Sequence, residues 1–277
     1  MPINQENINL WIQQSDIDYI GHFIKAWIPF NAWYNSSFAT LNSDREKISA
    51  IKTQPNSVRN GINSLMESDS QQGQEFRNYL AALYYQLQQN QIDGREGRIW
   101  FENALREKNP VNLIDNREIG HNKYYLKRTD GTHLGKVEEM KVILKRKSDN
   151  QTIFNYTHNE YDLQHLQSYS DFQPLSDTRK EQIRLLFQKL EPIKIDTLIE
   201  TNKSESPINY YQCDSYTLKR DVSNPNCHAI HIVKALVEVL YQLRNVLFHG
   251  ELVPNNGAQK VYKEAYLILK MILEKIK

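Results

Sequence analysis

The chain has 277 residues, of which 40% are hydrophobic and 24% charged, and its formal net charge is only +1. These values are typical of a soluble globular protein with one large domain or two smaller ones, and they exclude a global basic field of the kind that drives non-specific nucleic-acid binding. Two cysteines do not predict a disulfide framework. The first residues carry no secretory leader, and no run approaches the roughly 20 apolar residues of a membrane span, so we expect a cytoplasmic protein.

Helical periodicity dominates the first third of the chain. Apolar residues spaced by three and four positions predict helices over about residues 16–41, 44–53, 72–91 and 99–108. Pro29 should kink or split the first of these helices. The aromatic string at residues 27–34 could offer a base-stacking surface, but large aromatics at helical spacing are more typical of a packed core.

Composition changes between about residues 118 and 165, where tyrosine, threonine and lysine accumulate. Two or three antiparallel strands are predicted there, over residues 123–128, 137–147 and 152–157. Residues 121–150 hold eight Lys or Arg and four Asp or Glu, so a local basic patch would lie here. The candidate contacts to an RNA backbone are Lys123, Lys127, Arg128, Lys145, Arg146 and Lys147. A solvated hairpin whose lysines protect its edges is the alternative interpretation.

Helical periodicity returns at about residue 178 and stops at Pro192. A polar stretch, residues 197–225, predicts a long loop with one short strand. The most apolar helix of the chain then follows over residues 226–249, and an amphipathic helix comes last. Apolar residues at three- and four-residue intervals leave this penultimate helix only a narrow polar stripe, so it should be buried on most of its circumference. The stripe consists of Lys234, Glu238, Gln242, Asn245 and His249.

The end of the penultimate helix carries Arg244, Asn245, His249 and Gly250. Gly250 is placed to end the helix in the left-handed conformation, and a histidine in the last turn lies at the negative end of the helix dipole, which favours its protonated form. Arginine, amide and imidazole can together bind phosphate and transfer protons without a metal. Spacing alone is not specific, because Arg128 and His133 share it across residues that predict a hairpin turn.

The arrangement of Arg244-Asn245, an apolar trio and His249-Gly250, on the penultimate helix of a helical chain, resembles the HEPN superfamily, whose signature is Arg, four to six residues, then His. The resemblance implies a helical bundle, usually a homodimer whose motif helices face one another, and commonly metal-independent endoribonuclease activity. The family is frequent in prokaryotic toxin and antiviral systems. The implied reaction is attack of a ribose 2′-hydroxyl on the adjacent phosphate, which leaves a 2′,3′-cyclic phosphate. His249 would move protons, Arg244 would stabilise charge on the phosphorane, and Asn245 would hold His249 or the phosphate.

These observations predict a mainly α protein, with a HEPN-like helical bundle made from residues 1–117 and 169–277 and a small antiparallel β-hairpin or sheet inserted at residues 118–168. Expected partners are RNA, a second copy of the chain and an antitoxin or regulatory protein, with no cofactor, metal or membrane. A non-catalytic module that binds RNA, nucleotide or a partner protein is the alternative. In a third interpretation the protein has no site, His249 is buried and Arg244 is tied to a carboxylate.

Two other groups of residues are candidates for a functional role. Cys213, Cys227, His228 and His231 could form a zinc site, although their spacing is irregular and ordinary helix-start residues are the simpler interpretation. Glu238 could orient a side chain of a partner protomer, or it could pair with Lys234. No Gly-x-Ser-x-Gly elbow, Walker loop or His-Glu-x-x-His motif occurs, which excludes the common hydrolases and nucleotide-dependent enzymes.

Overall fold

The computed structural model describes residues 17–95, 97–200, 206–214 and 216–276. The chain divides into two compact units. Unit 1 combines the described residues up to Leu105 with those from Thr197 onward, and unit 2 is Arg106–Asp196. The sequence analysis placed the boundaries of the inserted segment at residues 118 and 168, inside the range of unit 2. None of the described helices is long and apolar enough to cross a membrane.

The elements follow one another in three groups. Unit 1 begins with α1 (Tyr19–Ser37), α2 (Asp44–Thr53), α3 (Ser57–Glu67), α4 (Gln71–Gln89), the hairpin of β1 (Asp93–Gly94) and β2 (Gly97–Arg98), and α5 (Phe101–Ala104). Unit 2 contains β3 (Arg106–Lys108), β4 (Leu113–Ile119), β5 (Asn122–Asp130), β6 (Val137–Arg146), β7 (Thr152–His158), α6 (Leu163–Ser168), α7 (Asp177–Gln188) and β8 (Ile193–Ile195). Unit 1 then resumes with a 3-10 turn (Pro207–Asn209), the hairpin of β9 (Tyr210–Gln212) and β10 (Thr217–Lys219), α8 (Ile230–Phe248) and α9 (Asn256–Lys275).

Helix α8 is the centre of unit 1. Most of its apolar side chains between Ile232 and Val246 are almost completely buried, and it packs against α2, α3 and α5. Helix α9 packs against α1, α3 and α4, so that the last two helices hold the first four together. The prediction of a helix buried on most of its circumference is confirmed, although the helix begins four residues later than expected.

Helix α1 continues through Pro29 without being split, contrary to one of the two outcomes expected. Pro29 lies on the exposed side of the helix, so the carbonyl group that loses its helical donor can be hydrated instead. The aromatic side chains beside it are core: Trp27, Phe30 and Tyr34 are each no more than 1% exposed. They contact one another edge-on, with ring centroids 5.1–6.4 Å apart, which is the favoured geometry for packed rings.

Unit 2 is built on a four-stranded antiparallel sheet with the strand order β4-β5-β6-β7. Alternate side chains of the strands point to one face, where they meet the apolar side of α7 in a core of their own. That core contains Tyr124, Leu126, Met140, Val142, Leu144, Phe154, Tyr156, Ile183, Leu186 and Phe187. Strands β3 and β8 pair with each other, so the two ends of unit 2 lie side by side.

The prediction of a mainly α fold with a small β insertion is wrong. About 48% of the chain is helical and 20% is strand, in four antiparallel sheets, which makes this a mixed α and β fold. The physical reason is that the sheet buries its inner face against α7, a helix that periodicity alone had assigned to the helical domain. Strand β4 and the residues of β3 also escaped the sequence prediction, the latter because they were placed in a helix over residues 99–108.

Candidate functional site

The C-terminal end of α8 is a closed, well-defined cap. His249 is the C-cap residue, and Gly250 follows with φ +67°, as the sequence predicted for this glycine. The amide of Gly250 donates to the carbonyl of Leu247, and the amide of Glu251 donates to that of Val246. This is the Schellman pair of hydrogen bonds. It fixes the backbone on both sides of His249, whose side chain is exposed.

Arg244 is held one turn earlier by three groups. Its Nη1 donates to Oδ1 of Asn245 at 2.9 Å, its Nη2 lies 3.3 Å from Oδ2 of Asp44, and its guanidinium carbon lies 4.6 Å from the centre of the Phe248 ring. The side chain is 18% exposed. Within the described residues its buried Nε atom has no acceptor. The guanidinium is therefore oriented before any ligand arrives.

In this structure the side chain of Asn245 binds Arg244 and not His249. Its amide oxygen accepts the hydrogen bond from the guanidinium, whereas the resemblance implied that it would hold His249 or a phosphate. Among the residues that the structure describes, no hydrogen bond or ion pair reaches the side chain of His249. Arg244 and Asn245 are thus brought together, and His249 stands apart from them on the same helix end.

Asp44 and Tyr34 belong to this cluster although the sequence analysis did not select them. Asp44 opens α2 directly after the capping residue Ser43. Tyr34 is fully buried in α1, and burial, followed by the nearby Asp44 carboxylate, raises the pKa of its hydroxyl. An acidic residue in a first helical turn is common for electrostatic reasons alone. Nothing in the local sequence therefore distinguishes Asp44 from an ordinary helix-start carboxylate.

The interpretation without a site predicted a buried His249 and an Arg244 tied to a carboxylate. The structure has one of these features and not the other. Arg244 does pair with Asp44, but His249 is exposed at the end of the helix. The helix end therefore carries an oriented guanidinium and, separate from it, an exposed imidazole.

Glu238, two turns before Asn245, is engaged within its own chain. It is 4% exposed and lies 2.6 Å from Nη1 of Arg45 and 2.5 Å from Nζ of Lys52, both on α2. Burial alone would raise the pKa of its carboxyl, but Lys52 and Arg45 together outweigh burial and lower it. The ionised carboxylate therefore joins α8 to α2 and keeps the N-terminal turn of α2, with Asp44, beside Arg244.

The proposed zinc ligands do not converge. Among the described residues, no group of three or more His, Cys, Asp or Glu side chains is arranged to hold a metal ion. Cys213 and Cys227 are buried free thiols, and burial raises the pKa of the Cys213 thiol to about 12. His228 instead lies 3.3 Å from a guanidinium nitrogen of Arg220 and 3.6 Å from a carboxylate oxygen of Glu67.

Five of the six basic residues predicted to contact RNA lie at the surface of unit 2, and one does not. Arg128 is 1% exposed, and its guanidinium donates to the carbonyls of Asn109, Leu190 and Glu191 and to the Asp130 carboxylate. It is a structural residue that ties β5 to the segment after α7. Hydrogen bonding to Arg128 also lowers the pKa of Asp130. Arg128 therefore cannot contact RNA.

Lys123, Lys127 and Lys145 project from the face of the sheet opposite α7, because the residues that alternate with them point into the core. Lys141, Tyr125 and Ile143 lie on the same face, and the sequence analysis did not select them. We call these six residues the basic face. Arg146 and Lys147 stand at the end of β6, paired with Asp149 and Glu118 respectively.

Comparison with family models, curated proteins and solved structures found no match.

Chemically, the end of α8 offers a fixed cation, an amide and an imidazole. The cation and its amide are oriented by neighbours in α2 and by the Phe248 ring, while the imidazole is exposed. Such a set can bind a phosphate group and transfer a proton to or from one of its oxygens. In unit 2, the basic face offers cations and an aromatic ring but no comparable acid or base.

Proposed function

We propose that this protein is a metal-independent endoribonuclease of the HEPN type that acts in the cytoplasm, as a toxin or antiviral defence effector. The single observation that carries the proposal is the end of α8, where a pre-oriented Arg244 and an exposed His249 stand on a helix terminus with a rigid cap. Metal-free phosphodiester cleavage requires a group that stabilises charge and a group that transfers protons, and Arg244 and His249 can supply these two functions.

In the proposed reaction, the ribose 2′-hydroxyl attacks the neighbouring phosphorus atom and the 5′-oxygen leaves. His249 takes the proton from the 2′-hydroxyl or gives one to the leaving oxygen. Arg244 stabilises the additional negative charge on the phosphorane. Asn245 acts through Arg244, whose guanidinium it holds at 2.9 Å.

A homodimer would supply the second proton-transferring group that this reaction needs. One imidazole cannot easily serve as base and acid at once, and Arg244 and His249 are not in contact within one chain. Two α8 termini that face each other would place two histidines and two arginines around one phosphate. The Phe248 ring, which is 55% exposed beside this terminus, is apolar surface that such an association would cover.

The test is cleavage of labelled total RNA in the presence of EDTA, with the product ends identified. Wild type should cut and leave 2′,3′-cyclic phosphates, whereas Arg244→Ala and His249→Ala should lose activity by about 100-fold or more. His133→Ala and Arg184→Ala are the matched controls, because both residues belong to unit 2, whereas α8 belongs to unit 1. If Arg244→Ala and His249→Ala cut as well as wild type, the proposal fails.

One observation favours a second candidate, a non-catalytic HEPN-like module that binds RNA or a regulatory partner such as an antitoxin. The Asp44 carboxylate at 3.3 Å already neutralises part of the charge that Arg244 would offer a phosphorane. Under this alternative, wild type does not cleave RNA in any metal-free condition but binds it, and Arg244→Ala weakens the binding. Cleavage that depends on His249 excludes this candidate.

A further inference from the structure

The basic face of unit 2 contains an arrangement that packing does not explain. In the register of β5 and β6, Lys127 lies directly opposite Lys141, and Lys123 lies directly opposite Lys145. Side chains that face each other across an antiparallel pair have Cβ atoms only about 5 Å apart, and like charges at such positions destabilise the sheet. Two repulsive pairs on one face therefore cost stability in the free protein.

Few acidic side chains lie close enough to relieve this repulsion. Lys123 lies 3.8 Å from the Glu118 carboxylate on β4, and that carboxylate is also bound by Lys147 at 2.5 Å. Within the part of the chain that the structure describes, Lys127, Lys141 and Lys145 form no ion pair. Their neighbours on β7 are uncharged, because Lys141 faces Thr157 and Lys145 faces Thr152. Apart from Lys123, which Glu118 partly offsets, the lysines of the two pairs have no carboxylate within ion-pair distance among the described residues.

Between the two lysine pairs lies an apolar step. Tyr125 is directly opposite Ile143, and both are partly exposed. Each is two residues from a lysine along its strand, or roughly 7 Å. The face therefore presents one aromatic ring with a pair of ammonium groups on either side of it. Ammonium groups bind phosphates, and an aromatic ring on an open sheet surface stacks against a base whatever its identity.

We propose that the basic face binds single-stranded RNA, with the backbone phosphates on the two lysine pairs and a base stacked on Tyr125. The charge of a polyanion removes the repulsion that the free sheet carries. A single strand fits better than a duplex because a flat aromatic surface needs an unpaired base. This activity is separate from the proposed nuclease at α8 and does not depend on it, since none of the six residues belongs to unit 1.

The experiment is fluorescence anisotropy with a short fluorescein-labelled single-stranded RNA that carries 2′-O-methyl groups throughout, so that attack by a 2′-hydroxyl is impossible. The full chain is titrated at several salt concentrations. Lys127→Gln/Lys141→Gln removes one like-charged pair, and Lys180→Gln/Lys189→Gln removes two lysines at α7, on the covered side of the sheet. Tyr125→Leu removes the ring and Tyr125→Phe keeps it.

We expect the Lys127/Lys141 variant to bind at least tenfold more weakly than wild type at low salt. The slope of the logarithm of affinity against the logarithm of salt concentration should fall by about 0.7 for each lysine removed. Tyr125→Leu should weaken binding about fivefold or more, and Tyr125→Phe should leave it unchanged. The Lys180/Lys189 control should bind like wild type.

A thermal melt of the same variants separates binding from folding. Removal of a repulsive pair should leave the free Lys127/Lys141 variant as stable as wild type or more stable. Weaker RNA binding by a protein of equal or higher Tm therefore supports the proposal. Equal affinity and equal salt slope for the two double variants overturn it. The proposal is also overturned if double-stranded RNA competes as effectively as single-stranded RNA. It is likewise overturned if the protein binds only to anionic lipid vesicles.

Discussion

At the scale of single residues, the guanidinium of Arg244 touches a carboxylate, an amide oxygen and an aromatic ring, and the three contacts differ in kind. Asn245 and Phe248 orient the group without removing charge. Asp44 both orients it and offsets part of its charge. The sequence pointed to Arg244, Asn245 and His249 because they share one helix, but it could not point to Asp44, which is 200 residues away along the chain.

Asp44→Asn tests the positioning role, under the proposed nuclease function. The amide keeps the shape of the side chain but loses the charge that holds Arg244, so we expect kcat to fall about tenfold while KM changes little. Steady-state cleavage of a short RNA measures both constants. Asp69→Asn, an acidic residue that lies outside any described helix between α3 and α4, serves as the control. A rise in KM with unchanged kcat would show that Asp44 has no positioning role.

Glu238→Gln tests the buried ion pair. Loss of the carboxylate charge leaves Lys52, which is 18% exposed, without its partner, so the free energy of unfolding should fall by about 3 kcal/mol. Arg45 adds less, because its side chain is 54% exposed. The control is Glu251→Gln, whose partner Arg95 is 70% exposed. That change should cost less than about 1 kcal/mol. Urea denaturation measures both.

The same pair predicts a pH dependence. The folded-state pKa of Glu238 lies below the ordinary value of 4.5, so its contribution is present above 4.5 and is lost as the pH falls through the folded-state pKa. The stability difference between wild type and Glu238→Gln should therefore be constant at neutral pH and shrink below 4.5. A difference that stays constant down to the acid transition would mean that folding does not lower the pKa of Glu238.

At the scale of elements, the cap of α8 is the feature that places His249. Gly250 has φ +67° and no atom within 4 Å of where a Cβ would be. Gly250→Ala therefore meets backbone strain alone and should lower stability by about 1 kcal/mol. Because the strained residue follows His249 directly, RNA cleavage should fall by more than this loss of stability explains.

Gly120→Ala is the matched control for the cap. Gly120 has φ +58°, and no atom lies within 4 Å of where its Cβ would be. It differs from Gly250 in that it lies in the turn between β4 and β5. We expect a similar loss of stability, measured by thermal unfolding, without loss of cleavage. Equal activities of the two variants would show that the cap does not position a catalytic group.

Most long elements could be predicted from the sequence, and the exceptions share a cause. Helices α2 and α8 and strands β5 to β7 have strong periodic patterns, and they form close to where the pattern places them. Helix α3 was missed because it contains Asn60, Gly61 and Asn63, which are poor helix formers. It is stable because Ile62 and Leu65 are buried, and Gly61 allows the side chain of Lys275 to approach closely. Such long-range contacts are not visible in a local window.

The prediction of the fold class was wrong for the same reason, because long-range contacts decide which strands and helices form one core. Strand β4 shows little alternation, since most of its residues are exposed, and it is a strand because β5 pairs with it. Periodicity identified the helix that became α7 but could not tell which core it would join. Likewise, the sequence gives the number of lysines in the basic region, but the register of β5 and β6 decides that four of them form opposed pairs.

At the scale of the whole molecule, unit 2 has the attributes of an independent folding unit. It has its own core, and its first and last strands pair with each other. We expect residues 106–196, expressed alone, to unfold cooperatively and to keep the far-ultraviolet signature of a sheet with helices. Circular dichroism during urea denaturation measures this. A gradual, non-cooperative transition would mean that unit 2 depends on unit 1.

The interruption of unit 1 by unit 2 has a consequence for the order of events during translation. Residues 106–196 leave the ribosome as one continuous segment, and both of the strands that close unit 2 are present before α8 is synthesised. The helices α1 to α4 are made still earlier, but their apolar faces must wait for α8 and α9. Unit 2 can therefore fold during synthesis, while the helical unit and the motif at the end of α8 assemble only after α9 has emerged.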